Sequence, residues 1–310
     1  MNPSEIEHSK KAVCSYLNKY AYQTVITQDF LDEVNKVSRF DTQEFSKVWL
    51  ESTAFNTQQA NDLLFKNKTA SLLIEIEKLK KIPLADKMIF FAKTLQSDAY
   101  YTVKEAIVNQ LKSETFTVKK ELLQIAMATN NIQVRQAVGV SLSKIPEEFR
   151  SNYESLLDDK SYQTQEIALY YLWHNFPDNR VEYLEKSKNW IGFNDYNLRI
   201  LWLSLALSTP DYAADKNASI AELINYSSIN YEAITRQNAL EKLIALKLVN
   251  DDVLKNLVNA TIHHIWQFSK FGRNTIRILI NDSEIRASFE NILPSLKESE
   301  QFQLNRLLIE

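Results

Sequence analysis

The chain has 310 residues, 45% hydrophobic and 24% charged, which is enough apolar material for a continuous core and excludes disorder. A net charge of −3 supplies no broad field for nucleic acid or anionic lipid, and the single cysteine, Cys14, excludes an internal disulfide and a cysteine metal cluster. Three glycines (Gly139, Gly192, Gly272) and six prolines are too few for the tight turns of a β or α/β fold, so the expected class is all-α.

The opening stretch, MNPSEIEHSKK, is polar and shows no targeting signal, and the longest apolar runs, such as ILWLSLAL, are far short of a membrane span. Helical stripes follow in AVCSYLNKY, DFLDEVNKV and EFSKVWL. Cys14 falls in the first of these and reads as a structural, core-facing thiol. The polar stretch NTQQANDLLFKNKT then marks a boundary, giving a small helical segment over 1–65 and a repeat domain over 66–310.

Past Pro83 the chain repeats. TVKEAIVNQL, VRQAVGVSL, TQEIALYYL, LRILWLSLAL, TRQNALEKLIAL and GRNTIRILI each carry one polar anchor followed by apolar residues at helical spacing. The anchors Lys104, Arg135, Gln165, Arg199, Arg236 and Arg273 are separated by 31, 30, 34, 37 and 37 residues, a period for helix-pair repeats. Pro146, Pro177 and Pro210 follow their anchors by 11, 12 and 11 residues, and each marks the turn between the two helices of a pair. Thr209-Pro210-Asp211 reads as an N-cap, a first-turn proline and an acidic first turn. Phe149, Tyr153, Leu156 and Leu157 form the buried stripe of a second helix. One pair cannot bury both faces, so the expected architecture is a HEAT/ARM-like α-α superhelix, preceded by the small helical segment and closed by a charged C-terminal cap.

The first 50 residues resemble, at motif level, the end of the catalytic domain in the M1 family of zinc aminopeptidases, related to aminopeptidase N and leukotriene hydrolase. Tyr16-Leu17, Thr27-Gln28-Asp29-Phe30, Ser38-Arg39-Phe40-Asp41, and Phe45 with Trp49-Leu50 carry the likeness. Thr27 with Asp29 makes a capping start, and Phe45 and Trp49 an i, i+4 stripe. Arg39 stands where that family has glycine, and its Gly-x-Pro after the Trp-Leu helix is missing. The family's His-Glu-x-x-His zinc helix and Gly-x-Met-Glu-Asn motif do not occur in this sequence.

The resemblance implies a non-catalytic C-terminal helical domain that shapes substrate access. Its zinc would lie in an upstream catalytic domain, and its partners would be that domain and peptide substrates. No cofactor is expected in this chain itself. The alternative is a stand-alone HEAT-repeat scaffold that binds a protein partner on its concave surface; nucleic acid is not an expected partner, and no membrane span is expected in this chain.

Candidate sites are few. His263 and His264, read as neighbours on a helix, point about 100° apart and do not chelate one metal. The segment IWQFSKFGRNTIRILI gathers Trp266, Lys270 and Phe271 as a binding surface. The resemblance gives Arg273 and Arg277 the holding of a peptide carboxylate, whereas the repeat register gives Arg273 the role of an anchor bonding a neighbouring turn. Tyr170, Tyr171, Trp173 and Trp202 read as core between repeats.

Overall fold

The computed structural model describes residues 3–212 and 215–309. Among these residues every regular element is helical and no strand occurs, as the glycine-poor composition requires. The chain divides into two compact units, Met1–Gln110 and Leu111–Glu310.

In the first unit α1 (Pro3–Lys19) and α2 (Thr27–Val37) pack as a hairpin. Tyr16 meets Phe30 edge-on at 5.3 Å, and Ser15 Oγ donates to Glu33 Oε2 at 2.6 Å. This orientation leaves Cys14 exposed, correcting the expected core-facing thiol: the face of α1 that meets α2 is the one bearing Ser15 and Tyr16. Ile26 is the N-cap of α2, and its amide donates to Asp29 Oδ2 at 2.9 Å, so the capping contact comes from the third helical residue.

Asp41 caps α3 (Thr42–Phe45), which runs on into a π-helical turn at Ser46–Leu50. The extra residue per turn parts the expected stripe: Phe45 lies against Phe40 and Trp49 against Phe55, at ring distances of 5.7 and 5.9 Å. The polar stretch expected as a boundary supplies Asn56 and Asn67, the N-caps of α4 (Thr57–Phe65) and α5 (Lys68–Lys78), and lies inside this unit. Two further helices, α6 (Leu84–Gln96) and α7 (Tyr101–Gln110), complete it.

The second unit contains α8 (Phe116–Met127), α9 (Ile132–Ser141), α10 (Arg150–Glu154), α11 (Tyr162–Asn175), α12 (Arg180–Ser187) and α13 (Asn197–Leu207). It continues with α14 (Lys216–Tyr226), α15 (Ala233–Ala245), α16 (Asp251–Ala260), α17 (Trp266–Leu279), α18 (Ser283–Ile292) and α19 (Glu298–Ile309). Alternate helices form a continuous row: α9 packs on α11, α11 on α13, α13 on α15, α15 on α17 and α17 on α19. α13 shows why: from Ile200 to Ala206 every residue is buried, as in a helix covered on all sides.

The anchors explain how each helix of the row is held. Arg135 Nη1 donates to Met127 O at 3.0 Å, Gln165 Nε2 to Leu157 O at 3.3 Å, and Arg199 Nη1 to Lys188 O at 2.8 Å. Arg236 Nε donates to Ser227 O at 3.2 Å and Arg273 Nη1 to Thr261 O at 3.1 Å, while Lys104 Nζ makes the same kind of bond to Ser97 O, at 2.7 Å, in the first unit. Each donor therefore reaches a carbonyl at the C-terminal end of the preceding helical segment. Such carbonyls lack intrahelical partners and carry the negative end of the helix dipole, so a long cationic or amide donor suits them. Lys119 does the same on Leu111 O at 3.0 Å, and its burial lowers the ammonium pKa.

Pro146 is the N-cap of a 3-10 turn ahead of α10, and Pro177 is the first residue of the turn ahead of α12. Phe149, Tyr153, Leu156 and Leu157 are all buried, although a 3-10 turn, a short α-helix and a second 3-10 turn share them. The reading of Thr209-Pro210-Asp211 as a helix start is corrected. α14 begins at Lys216 with Asp215 as its cap, and Thr209 is buried, with its hydroxyl taken by Trp173 Nε1 at 3.0 Å and Leu205 O at 2.8 Å.

Candidate functional site

Two places in the second unit concentrate accessible chemistry. The first is the corner between α16 and α17. α17 starts at Trp266 with Ile265 as an N-cap that lacks a side-chain capping bond. Trp266 is 64% exposed, and Lys270, one turn on, holds its Nζ 6.0 Å from the indole ring. Phe268 points the other way and is buried, under the Arg236 guanidinium at 5.0 Å. Phe271 is half-buried and stacks on Phe268 at 6.1 Å. Trp266 and Lys270 thus share an outward face, with Phe271 turned partly inward.

Gly272 lets this happen. A Cβ there would lie 3.1 Å from both Ala260 Cβ and the Thr261 nitrogen, so only glycine permits α17 to approach the end of α16 this closely. That approach brings Arg273 to Thr261 O. Arg277 is exposed and donates to Asn274 Oδ1 at 3.3 Å. Arg273 thus bonds the neighbouring turn, the role that the repeat register gives it.

A cleft of about 250 Å³ opens between the starts of α15 and α17, lined by Glu232, Ile234, Gln237, Ile265, Gln267 and Phe268. Ile234 is more than half exposed at its rim. His263 and His264 lie in the turn before it, not on a helix as expected, and their rings stack at 4.3 Å. Thr261 ends α16 with a 3-10 type turn, which releases both histidines from helical geometry.

The second place is a cleft of about 340 Å³ among α12, α13 and α14. Arg199 grips Glu222 through two bonds, Nε to Oε1 at 2.7 Å and Nη2 to Oε2 at 2.6 Å, and lies over the Trp202 ring at 4.5 Å. The paired charges and their hydrogen bonds hold the Glu222 carboxyl below its ordinary pKa. Tyr212 donates to Glu185 Oε1 at 2.8 Å, while Lys188 reaches Glu185 Oε2 at 2.7 Å. Burial, reinforced by Glu185, pushes the Tyr212 hydroxyl up to about 12.

Chemically, this cleft is a floor of two aromatic rings ringed by charges that neutralise one another in pairs. Its side chains can accept and donate hydrogen bonds to peptide groups. Sequence reasoning missed it, because Arg199 read as an anchor and Trp202 as core. Both readings match what these residues do, and nothing local announces that Glu185, Tyr212 and Glu222 lie beside them. The 23 residues from Arg199 to Glu222, matched by the 24 from Arg135 to Asp159 and the 23 from Arg236 to Asn259, were the available signal.

Trp173 and Trp202 are nearly buried, as expected of core, and Arg180 lies 3.8 Å over the Trp173 ring. Tyr170 departs from that expectation: it is 40% exposed, with its ring 4.2 Å from that of His174 on the surface of α11. Among the described residues no three His, Cys, Asp or Glu side chains are grouped so as to hold a metal ion, and no helix is long and apolar enough to cross a membrane. No protein-family model, curated protein or solved structure matches the chain.

Proposed function

We propose that this chain is the non-catalytic C-terminal helical region of a zinc metallo-aminopeptidase-like protein. Residues 1–65 are the end of its catalytic domain, and the repeats form a HEAT-type superhelix that shapes access for peptides. The observation that carries this reading is the inside-out character of the N-terminal segment. Between residues 5 and 55 two apolar side chains, Ala12 and Leu31, are buried, whereas eight large ones stand exposed: Ile6, Val13, Leu17, Tyr22, Ile26, Phe40, Leu50 and Phe55. A segment with so little core of its own and so much apolar surface is what remains when the protein that covers it is taken away. Ile6, Val13 and Leu17 recur at helical spacing on α1, so they form one stripe for such a neighbour.

The row of alternate helices, each anchored to the end of the helix before it, supports the superhelical part of the proposal. The zinc and its ligands belong, in this reading, to the upstream domain. The reading is tested on the gene: its open reading frame is expected to continue upstream of Met1 through a His-Glu-x-x-His sequence. An in-frame stop immediately before Met1 would overturn it.

A second reading, a scaffold for a protein partner, draws on the exposed Trp266 beside the apolar rim of the α15–α17 cleft. A short upstream frame together with capture of one partner that is lost in Trp266→Ala would favour it.

A further inference from the structure

We propose that the turn 261–265 between α16 and α17 is a proton-operated latch: neutral His263 accepts the Ile265 amide on Nδ1 and fixes the start of α17, and protonated His263 releases it, freeing the exposed Trp266. The inference is independent of the aminopeptidase-like reading, because it concerns only the bonds of this turn.

The geometry is specific. The Ile265 amide donates to His263 Nδ1 at 3.1 Å, and Ile265 is the N-cap of α17, which has no side-chain cap of its own. An imidazole nitrogen accepts a hydrogen bond only through its lone pair. The bond therefore requires His263 to be neutral, with its proton on Nε2. Protonation at Nδ1 sets an N–H against an N–H, and the bond becomes a repulsion.

The surroundings all push toward the neutral form except one. The His263 ring stacks on His264 at 4.3 Å with 28° between planes, and meets the buried Phe268 edge-on at 5.2 Å. α15 contributes the Arg236 cation, which disfavours a second positive charge, and the Glu232 carboxylate, which opposes that effect. α17 contributes the neutral Phe268 ring, and Glu300 of α19 is occupied by Asn259 Nδ2 and the Lys297 amide. Burial, His264 and Arg236 together lower the His263 pKa.

The sign follows directly. A histidine whose folded pKa is depressed contributes its stabilisation above the unfolded value and loses it as pH falls through the lowered folded value. The latch is closed in neutral solution and opens on acidification below the ordinary histidine range.

The test is an NMR titration of the intact chain from about pH 8 down to about pH 5, following the His263 ring, the Ile265 amide and the Trp266 indole. The expected result is one shared midpoint for all three, with the exchange protection of the Ile265 amide falling about fivefold to tenfold across it. His263→Asn, whose Oδ1 accepts the amide without titrating, is expected to abolish the transition. His264→Gln, which removes the neighbouring charge, is expected to raise the midpoint. An Ile265 amide that ignores the His263 midpoint in the unaltered protein, or a transition that persists in His263→Asn, overturns the proposal.

Discussion

The Arg236 guanidinium and the Glu300 carboxylate, both almost wholly buried, are joined through one neutral side chain. Asn259 accepts from Arg236 Nη2 at 2.8 Å and donates to Glu300 Oε1 at 2.7 Å. Arg236 also donates to Ser227 O and Asn256 O, so one side chain of α15 ties together the ends of α14 and α16, and through Asn259 reaches α19. Its burial lowers the guanidinium pKa, a cost that these acceptors and the Phe268 ring offset.

Asn259→Ala is therefore expected to destabilise the second unit by about 2–4 kcal/mol, because it leaves a buried cation and a buried anion each short of a partner. Urea denaturation checks this. A loss below about 0.5 kcal/mol, the scale of ordinary surface substitutions, would show that the bridge is not formed.

Two buried hydroxyls go the other way. Thr164 Oγ1 and Thr235 Oγ1 are fully buried and have no hydrogen-bond partner among the described residues. Both sit one residue before an anchor, where the helices anchored by Arg135 and Arg199 carry Val134 and Leu198. Thr164→Val and Thr235→Val are expected to stabilise the protein by about 1 kcal/mol each, since a methyl of similar size carries no desolvation penalty. Their effects on the denaturation midpoint should add, as the sites are far apart in the row of helices. A decrease in stability would reveal a partner for the hydroxyl.

The glycines separate backbone approach from side-chain contact. Gly272→Ala is expected to cost about 1–3 kcal/mol, because the new methyl meets the rigid end of α16. Gly139→Ala meets side-chain atoms of Leu156 and Ile167 at 3.2 and 3.4 Å, and the gain in helix propensity of about 1 kcal/mol offsets their adjustment. Thermal unfolding of the two variants should show a clear drop for the first alone.

At the N-terminus the Glu33 carboxylate receives Lys36 Nζ at 2.5 Å, Ser15 Oγ at 2.6 Å and Lys19 Nζ at 3.1 Å. Lys36 foremost, with Ser15 and Lys19, lowers its pKa to about 2. A depressed carboxylate contributes stability above its unfolded pKa and loses it as pH falls through the folded value. The α1–α2 hairpin is thus expected to loosen between the ordinary glutamate range and about pH 2, and Glu33→Gln to remove that dependence. Amide exchange across α1 and α2 as a function of pH measures it, and an unchanged profile in Glu33→Gln would contradict it.

How far the sequence discloses this protein depends on whether a residue's partner is set by local spacing. The anchors were legible because each reaches a carbonyl only 7 to 12 residues back, so their positions recur with the helices. The stripe from Phe149 to Leu157 was legible for the same reason. Thr209 was not, because its hydroxyl serves Trp173, 36 residues away, and a capping motif read locally gives no sign of that competition. Cys14 was misread because α1 is apolar on more than one side, and only its contact with α2 decides which side is covered. The Glu185–Tyr212 and Arg199–Glu222 pairs, and the stacked histidines, depend on how neighbouring helices meet, and a single sequence records that only faintly.

The proposal that the exposed apolar stripe of residues 1–55 belongs against an upstream zinc domain is tested most directly by the size of the protein in its native cells. An antibody raised against this chain is expected to detect a species far larger than 36.0 kDa that carries zinc when isolated. A native species of 36 kDa, free of any covalently continuous partner, would contradict the account.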